Sequence, residues 1–263
     1  EQALVLDELF AGSIADALTR RETAPIEKVE KAALSQTPAL NAIEFLAPAG
    51  QIKILAEVKR ASPSRGQMAD IPDPAALAKI YAENGASAIS VLTEERKFKG
   101  SLADLISVRA NVAVPLLRKD FIANEYQILE ARAAGADIIL LIVAGLAQKD
   151  IERLKHFTEE LGMTAFVETH SEDELKRAID VDTKMVGINA RDLSTFETDR
   201  NLFANLVHLI PEGVIKVAES AVRNADDVAH YRAAGADVAL VGEALVTNDP
   251  AAMLQSFLSA GKS

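Results

Sequence analysis

Three glutamates, two lysines and an asparagine stand at the C-terminal ends of short apolar runs. They are Glu57 and Lys59 in IKILAEVK, Lys119 in VPLLRKDF, Glu168 in TAFVETH, Asn189 in MVGINARD and Glu219 in IKVAES. Side chains alternate along a strand, so each of these residues belongs to a definite face. Leu55, Glu57 and Lys59 share one face of the first run, and Ile54, Ala56 and Val58 share the other. Lys119 is in phase with Leu117, Glu168 with Phe166, Asn189 with Gly187, and Glu219 with Val217 and Ile215. Each face begins apolar and ends polar. A single such run reads as a strand leaving the core with solvated charges; five in the same phase read as a site. Three carboxylates against two ammoniums is the near-balance that buried charge requires, and the set suits general acid–base chemistry.

The elements that must hold these residues alternate along the chain. Strands are expected at 52–59, 87–92, 113–118, 137–142, 163–168, 184–188, 214–218 and 238–241. Helical patterns fall between them near 74–84, 101–109, 124–134, 148–161, 171–179, 200–208, 224–234 and 249–258. The chain also repeats itself: AAGADIILLIVAGL at 133–146 resembles AAGADVALVGEAL at 233–245, with ENGASAISVLTEE at 83–95 a looser copy. Each copy ends a helix at a glycine (Gly85, Gly135, Gly235), where φ > 0 is often needed, and enters a buried strand at once. Short αβ turns feeding parallel strands give a right-handed succession of βα units. An open doubly wound sheet is the alternative, but no GxGxxG follows the first strand. Eight units without an obvious linker favour an α/β fold of the (β/α)8 TIM barrel class. We expect one domain over 1–263, with 1–50 as an N-terminal helical extension on the outside of the barrel or across one end.

Composition narrows the function classes. The 263 residues are 49% hydrophobic and 25% charged, as in ordinary globular proteins. A formal net charge of −11 argues against broad nucleic-acid or anionic-membrane binding. There is no cysteine, so no disulfide framework and no thiolate chemistry, which suits a cytoplasmic protein. No run approaches the ~18 apolar residues of a membrane span. Leu6, Leu9, Phe10, Ile14 and Leu18 recur at helical spacing among acids, marking an amphipathic helix and not a signal peptide. The chain opens at Glu1 without a Met, so processing or trimming is expected.

In a barrel, chemistry belongs at the C-terminal strand ends, where active sites of this fold sit; an inert ion-pair plug is the competing reading. The loops after strands seven and eight, AESAV and LVGEAL, occupy the usual phosphate position. Small residues there let backbone N–H groups approach an anion, helped by a short helix starting near Gly242. Arg191, just past the sixth strand, can assist. His156, His170, His208 and His230 do not cluster at ligand spacing, so no metal site and no cofactor are expected. Ser62 and Ser64 lack a His–Asp partnership, which argues against acyl transfer.

EVKRASPSRG, TEERKFKG, LRKDF, GINARDL and AES followed by VGEAL resemble the indole-3-glycerol-phosphate synthase family of tryptophan biosynthesis. The likeness runs from about residue 50 to 258, and the N-terminal helix resembles that family's extra segment. It implies ring closure of 1-(2-carboxyphenylamino)-1-deoxyribulose 5-phosphate, a small anionic phosphorylated substrate, with loss of carbon dioxide and water. By this resemblance Lys119 is the general acid, Glu168 the base of the dehydration, and Glu57 a support for proton transfers. Lys59 pairs with the substrate carboxylate, Asn189 orients the reacting hydroxyl or amine, and Glu219 holds the network together. Phe98, Phe121 and Leu140 enclose the anthranilate ring, with Ser62 on the mobile first loop. Arg191, Ser220, Ala221, Leu240, Gly242 and Glu243 form the phosphate side. A lyase without cofactor is implied. A monomer is expected, and association with other tryptophan-pathway enzymes is left open.

One residue departs from the pattern: AES is usually followed by Gly, and here Ala221 follows. If the loop needs φ > 0, alanine carries a Cβ cost there. The alternatives are another phosphate-binding barrel, such as a phosphoribosylanthranilate isomerase or a histidine-pathway barrel, and a non-catalytic small-molecule-binding barrel. Enzymes of the first kind rely on an Asp/Cys or Asp/Asp pair, which LRKDF fits poorly. An intact Lys119–Glu168–Asn189 set speaks against the second.

Overall fold

Eight short runs of β-branched and leucine-rich sequence close on one another in the computed structural model, which describes residues 3–262. Glu1, Gln2 and Ser263, the ends of the span read as one domain, lie outside the described residues. The strands are β1 (Lys53–Val58), β2 (Ala88–Leu92), β3 (Leu116–Lys119), β4 (Ile138–Ile142), β5 (Thr164–Thr169), β6 (Met185–Asn189), β7 (Ile215–Glu219) and β8 (Val238–Val241). Each pairs in parallel with the next, and β8 pairs with β1, so the sheet is a closed barrel with no free edge. The (β/α)8 barrel expected from the sequence is the fold.

Register carries the polar strand ends to one level. Glu57 stands opposite Ser90, Leu92 opposite Lys119, Glu168 opposite Gly187, and Asn189 opposite Glu219. Below that level Leu55, Leu117, Ile138, Leu140, Phe166, Met185, Val217 and Leu240 fill the barrel interior. The other phase of every strand packs outward against the helices in a second, larger core. Six of the helices around the barrel start on side-chain caps, as Asp73, Ser101, Asn124, Ser171, Asn224 and Asp249 each accept a backbone N–H of the first turn. Gly85, Gly135 and Gly235 all have φ near +100°, so the repeated AAGA motif is the left-handed exit the sequence suggests. The aspartates that close two of those repeats hold the opposite end of the barrel. Asp137 accepts the N–H of Leu116 and the guanidinium of Arg109, and Asp237 accepts the N–H of Lys216.

β3 begins at Leu116, three residues later than its apolar run suggests. Pro115 has no N–H for a ladder, and the carbonyls of Val112 and Val114 are taken by Arg109. The shorter strand places Lys119 inside the sheet. The helix expected at 200–208 stops at Leu206 and tightens into a 3₁₀ turn over Val207–Leu209.

The N-terminal extension is three helices where the sequence reading named one. α1 (Ala3–Thr23) crosses the C-terminal mouth, α2 (Ile26–Ser35) packs on the barrel-side helix Glu125–Ala133, and α3 (Ala42–Leu46) closes the other end. Lys53, at the start of β1, donates to the carbonyl of Phe45 in α3. At the mouth Phe10 meets Phe121 edge-on, with centroids 5.6 Å apart, and lies against Gly145, where any Cβ would overlap its ring. A buried polar chain fixes the same helix: Ser13 donates to Asp120 (2.7 Å), Thr93 donates to Asp120 (2.6 Å), and Arg118 donates to Thr93 (2.9 Å). Arg20 of α1 ion-pairs with Glu130 at 2.5 Å.

Phe10→Ala is therefore expected to cost about 3 kcal/mol of unfolding free energy, because the ring is buried and its removal leaves a cavity at the mouth. Urea denaturation measures this, and a loss below ~1 kcal/mol would show that α1 is not seated by this side chain.

Candidate active site

Every site residue named from the sequence lines one of two confluent cavities at the C-terminal mouth. The first has apolar walls from Leu9 of α1, Phe98, Phe121, Leu140 and Ile142, with Ser62 on the loop after β1. Phe98 and Phe121 stand 6.1 Å apart at a tilt, a slot fit for a planar ring. The second is polar and is lined by Ser220, Ala221, Gly242 and Glu243. Glu57, Lys59, Lys119, Asn189 and Arg191 border both.

Glu57 is the hub. Its Oε2 accepts from Lys119 Nζ at 2.9 Å and from Ser90 Oγ at 2.8 Å, while its Oε1 lies 3.7 Å from Lys59 Nζ. Burial alone would raise the Glu57 pKa, but Lys119 and Lys59 outweigh it and hold it below the usual carboxylate range. The two lysines then part company. Burial depresses Lys119, yet Glu57, Glu219 and Glu168 together lift it above the ordinary lysine value. Lys59 is lowered by burial first and by repulsion from Lys119 and Arg191, with Glu57 only partly compensating. Lys119 is thus a firmly charged ammonium, and Lys59 is a cation short of anionic company.

Across the mouth Glu219 is almost fully buried, and no N–H or O–H of a neighbouring residue reaches either of its carboxyl oxygens. Burial, then the charge of Glu168 and a hydrogen bond with it, push its pKa well above the ordinary value. On the side where they face each other the two carboxyl groups are satisfied by a proton between them, and Glu219 is its holder. Gly187 makes the pair possible, since a Cβ there would run into Glu219 and Phe166. On its far side Glu168 lies 3.4 Å from His170 Nε2.

Asn189 Oδ1 accepts from Ser220 Oγ (2.7 Å) and from the N–H of Arg191 (2.9 Å), so its amide N–H groups are what it can offer a ligand. Arg191 donates to the carbonyl of Phe196. The loop after β7 turns sharply, with φ of 68° at Ser220 and 59° at Ala221. Tyr231 anchors it by donating to the Ser220 carbonyl at 3.1 Å. Gly242 leaves room for the heads of Glu57 and Lys59. The Glu243 carboxylate ion-pairs with Arg65, tying the loop after β1 to the short helix after β8; only its backbone faces an anion favourably. Leu240 contributes apolar floor to the polar cavity.

Sequence reasoning passed over Ser90, His170, Arg65, Leu9 and the Ser13–Asp120 link. Ser90 had a usable signal, being in phase with Leu92 on the strand beside Glu57. The others depend on loops and on α1, whose docking no periodicity reveals.

The Glu219 environment gives a pH test. The unfolded chain releases this proton near pH ~4.3, whereas the folded protein retains it to higher pH, so the wild type loses stability as pH rises through that interval. Glu219→Gln keeps the shape and can donate to Glu168 without that loss. Its Tm is expected to exceed wild type by about 3 °C at pH 8 and by less at pH 5. An equal gain at both pH values, or a loss at pH 8, would contradict a protonated Glu219.

A family model described as indole-3-glycerol phosphate synthase matches residues 6–257. An indole-3-glycerol phosphate synthase of Leifsonia xyli is 62% identical over 253 residues, covering 96% of this chain and 97% of that protein. Its counterpart in Mycolicibacterium smegmatis is 50% identical over 260 residues, covering 98% and 95%. A solved thiamine phosphate pyrophosphorylase from Pyrococcus furiosus shares the fold alone, with a TM-score of 0.60, 13% identity, and coverage of 80% of this chain and 95% of that one. Full-length likeness joined to this mouth places the chain in the indole-3-glycerol phosphate synthase family, lyases that close, decarboxylate and dehydrate 1-(2-carboxyphenylamino)-1-deoxyribulose 5-phosphate in tryptophan biosynthesis.

Proposed function

We propose that Lys119 is the general acid of ring closure, and the observation that carries this is its charged ammonium, held at 2.9 Å from Glu57 in the cavity it shares with Glu168. Attack of the aromatic ring carbon on the ribulose carbonyl develops negative charge on oxygen. An ammonium fixed beside that oxygen stabilises the charge and then protonates it. A lysine kept above its ordinary pKa is always loaded, and an alkoxide is basic enough to take its proton. Decarboxylation follows, and Glu168 removes the proton whose loss accompanies dehydration. Glu57, the ionised carboxylate that accepts from Lys119, supports the proton transfers, and Glu219 stands as a neutral carboxyl beside Glu168.

The substrate fits the two cavities by its chemistry. Its aromatic ring enters the slot of Phe98, Phe121 and Leu140, and its carboxylate meets Lys59, a buried ammonium that Glu57 only partly compensates. Asn189 orients the reacting hydroxyl or amine. The phosphate lies in the polar cavity among Arg191, Ser220, Ala221, Gly242 and the backbone of Glu243. Ser62 and Arg65 ride on the loop that borders both ends. We further propose a single-domain, cytoplasmic monomer; no helix among the described residues is long and apolar enough to cross a membrane.

The chain has no Trp, so indole fluorescence appearing from added substrate reports product directly. Lys119→Met is expected to lower kcat by about 10²–10⁴ with substrate binding retained. More than half of wild-type kcat in that variant would exclude Lys119 as the acid.

Ala221 yields a second expectation. Its φ of 59° costs an L-residue roughly 1–2 kcal/mol that glycine escapes. Ala221→Gly should let the loop relax around the phosphate and lower KM by up to about tenfold, with kcat little changed. An unchanged or higher KM would mean that the strain is borne without loss of binding.

A further inference from the structure

Of the four histidines, His156 is exposed and His230 half-buried on helices, and His208 lies in the turn after the helix Asn201–Leu206. His170 is different. It follows β5 directly, two residues past Glu168, and its side chain is only 11% exposed. Nδ1 lies 3.2 Å from Glu174 Oε1 on the helix Glu172–Asp180, and the same oxygen accepts the His170 backbone N–H at 3.0 Å. Nε2 is enclosed, makes no hydrogen bond, and lies 3.4 Å from Glu168 Oε2.

This placement restricts the ring's protonation. A carboxylate only accepts, so Nδ1 must donate to Glu174. A neutral ring with its proton on Nδ1 would then aim the Nε2 lone pair at Glu168. The other neutral tautomer would aim a lone pair at Glu174. Only the imidazolium offers a proton to both. The charged groups facing the ring are Glu168 from β5, Glu174 from the helix and Asp192 from the loop after β6, all acidic. Burial lowers the ring's pKa, but the Glu174 hydrogen bond and these charges outweigh it and set it above the ordinary value.

We propose that His170 is a positioning residue for this reaction, an imidazolium that fixes the Glu168 carboxyl group in place opposite Glu219. The role rests on the reading of Glu168 as the base. With His170 on one side and Glu219 on the other, one Glu168 oxygen is held toward the ring and the group is oriented to accept a proton from substrate. The effect is present while the ring is charged, and is lost as pH rises through its raised pKa.

The test uses the full chain with ¹⁵N-labelled histidine, following ring-nitrogen shifts against pH, with His170→Gln identifying the signal. His170 is expected to titrate above the ordinary ~6.5, and Glu168→Gln should lower its midpoint by about one unit. His170→Gln, which keeps an amide donor but no charge, should lower kcat about tenfold with KM within about twofold. In the Glu168→Gln background the same change should cost less than about twofold more, since its target is gone. A midpoint unmoved by Glu168→Gln, or a full tenfold loss added in that background, overturns the proposal without touching the base assignment. Wild-type turnover in Glu168→Gln alone would sink the base assignment and the positioning role with it, leaving only the ion pair that the titration sees. The titration of wild type and Glu168→Gln does not depend on how well His170→Gln folds.

Discussion

The Glu57 carboxylate, buried at the end of β1 with one oxygen on Lys119 and Ser90 and the other toward Lys59, is the interaction on which the mouth depends. It joins three adjacent strands at one level, and Tyr81 pins its own backbone carbonyl from outside the barrel at 2.9 Å. A carboxylate this enclosed is tolerable only because two ammoniums attend it. Those ammoniums in turn keep their positions only because Glu57 is there. Lys59, which Glu57 only partly compensates, faces both cavities beside Arg191. The same arrangement that makes the core electrostatically acceptable therefore leaves cationic side chains toward an anionic substrate.

The rest of the architecture serves that placement. Phe166 and the aliphatic interior beneath the charges form a dry floor that strengthens each electrostatic interaction above it. Gly187 and Gly242 are the points where a side chain would displace Glu219 or Glu57. α1 acts from above: Leu9 supplies wall, Phe10 meets Phe121, and Ser13 reaches Asp120, the residue next to Lys119. The extension is thus part of the site, and its attachment through Asp120 shares a strand end with the proposed acid.

Much of this was legible because a barrel converts strand phase into position. Glu57, Lys119, Glu168, Asn189 and Glu219 could be placed on one inner ring from alternation alone, and Gly85, Gly135 and Gly235 marked turns between units. What stayed hidden has physical reasons. Arg118 is out of phase with the ring and fully buried, and it is satisfied by Thr93, Gln127 and Asp120 from three separate segments. Helices α2 and α3 follow one long amphipathic helix across short Pro-containing links, and their faces match surfaces that exist only once the barrel has closed. The start of β3 was misplaced because Val112 and Val114 look like strand residues, although Pro115 and Arg109 remove them from the ladder. His170 carried no spacing signal, since its partners are one strand residue and one helix residue brought together by the turn.

Proton placement follows from neighbours and not from residue type. Three glutamates at one level experience three environments. Glu57 is held ionised by lysines, Glu219 is kept protonated by burial and by Glu168, and Glu168 is flanked by a proton-bearing carboxyl and a histidine. The two lysines are divided in the same way, one raised by surrounding carboxylates against its burial and the other lowered by burial first and then by lysine and arginine. A sequence supplies the residues of such a set, but their states depend on angstrom-level separations, because each neighbour's influence falls with distance and rises with burial. An acid and a base can act within one mouth only if their partners differ. Here Lys119 has Glu57, while Glu168 has Glu219 and His170, and the curvature of eight staggered strands keeps those two sets on different sides of the substrate cavity.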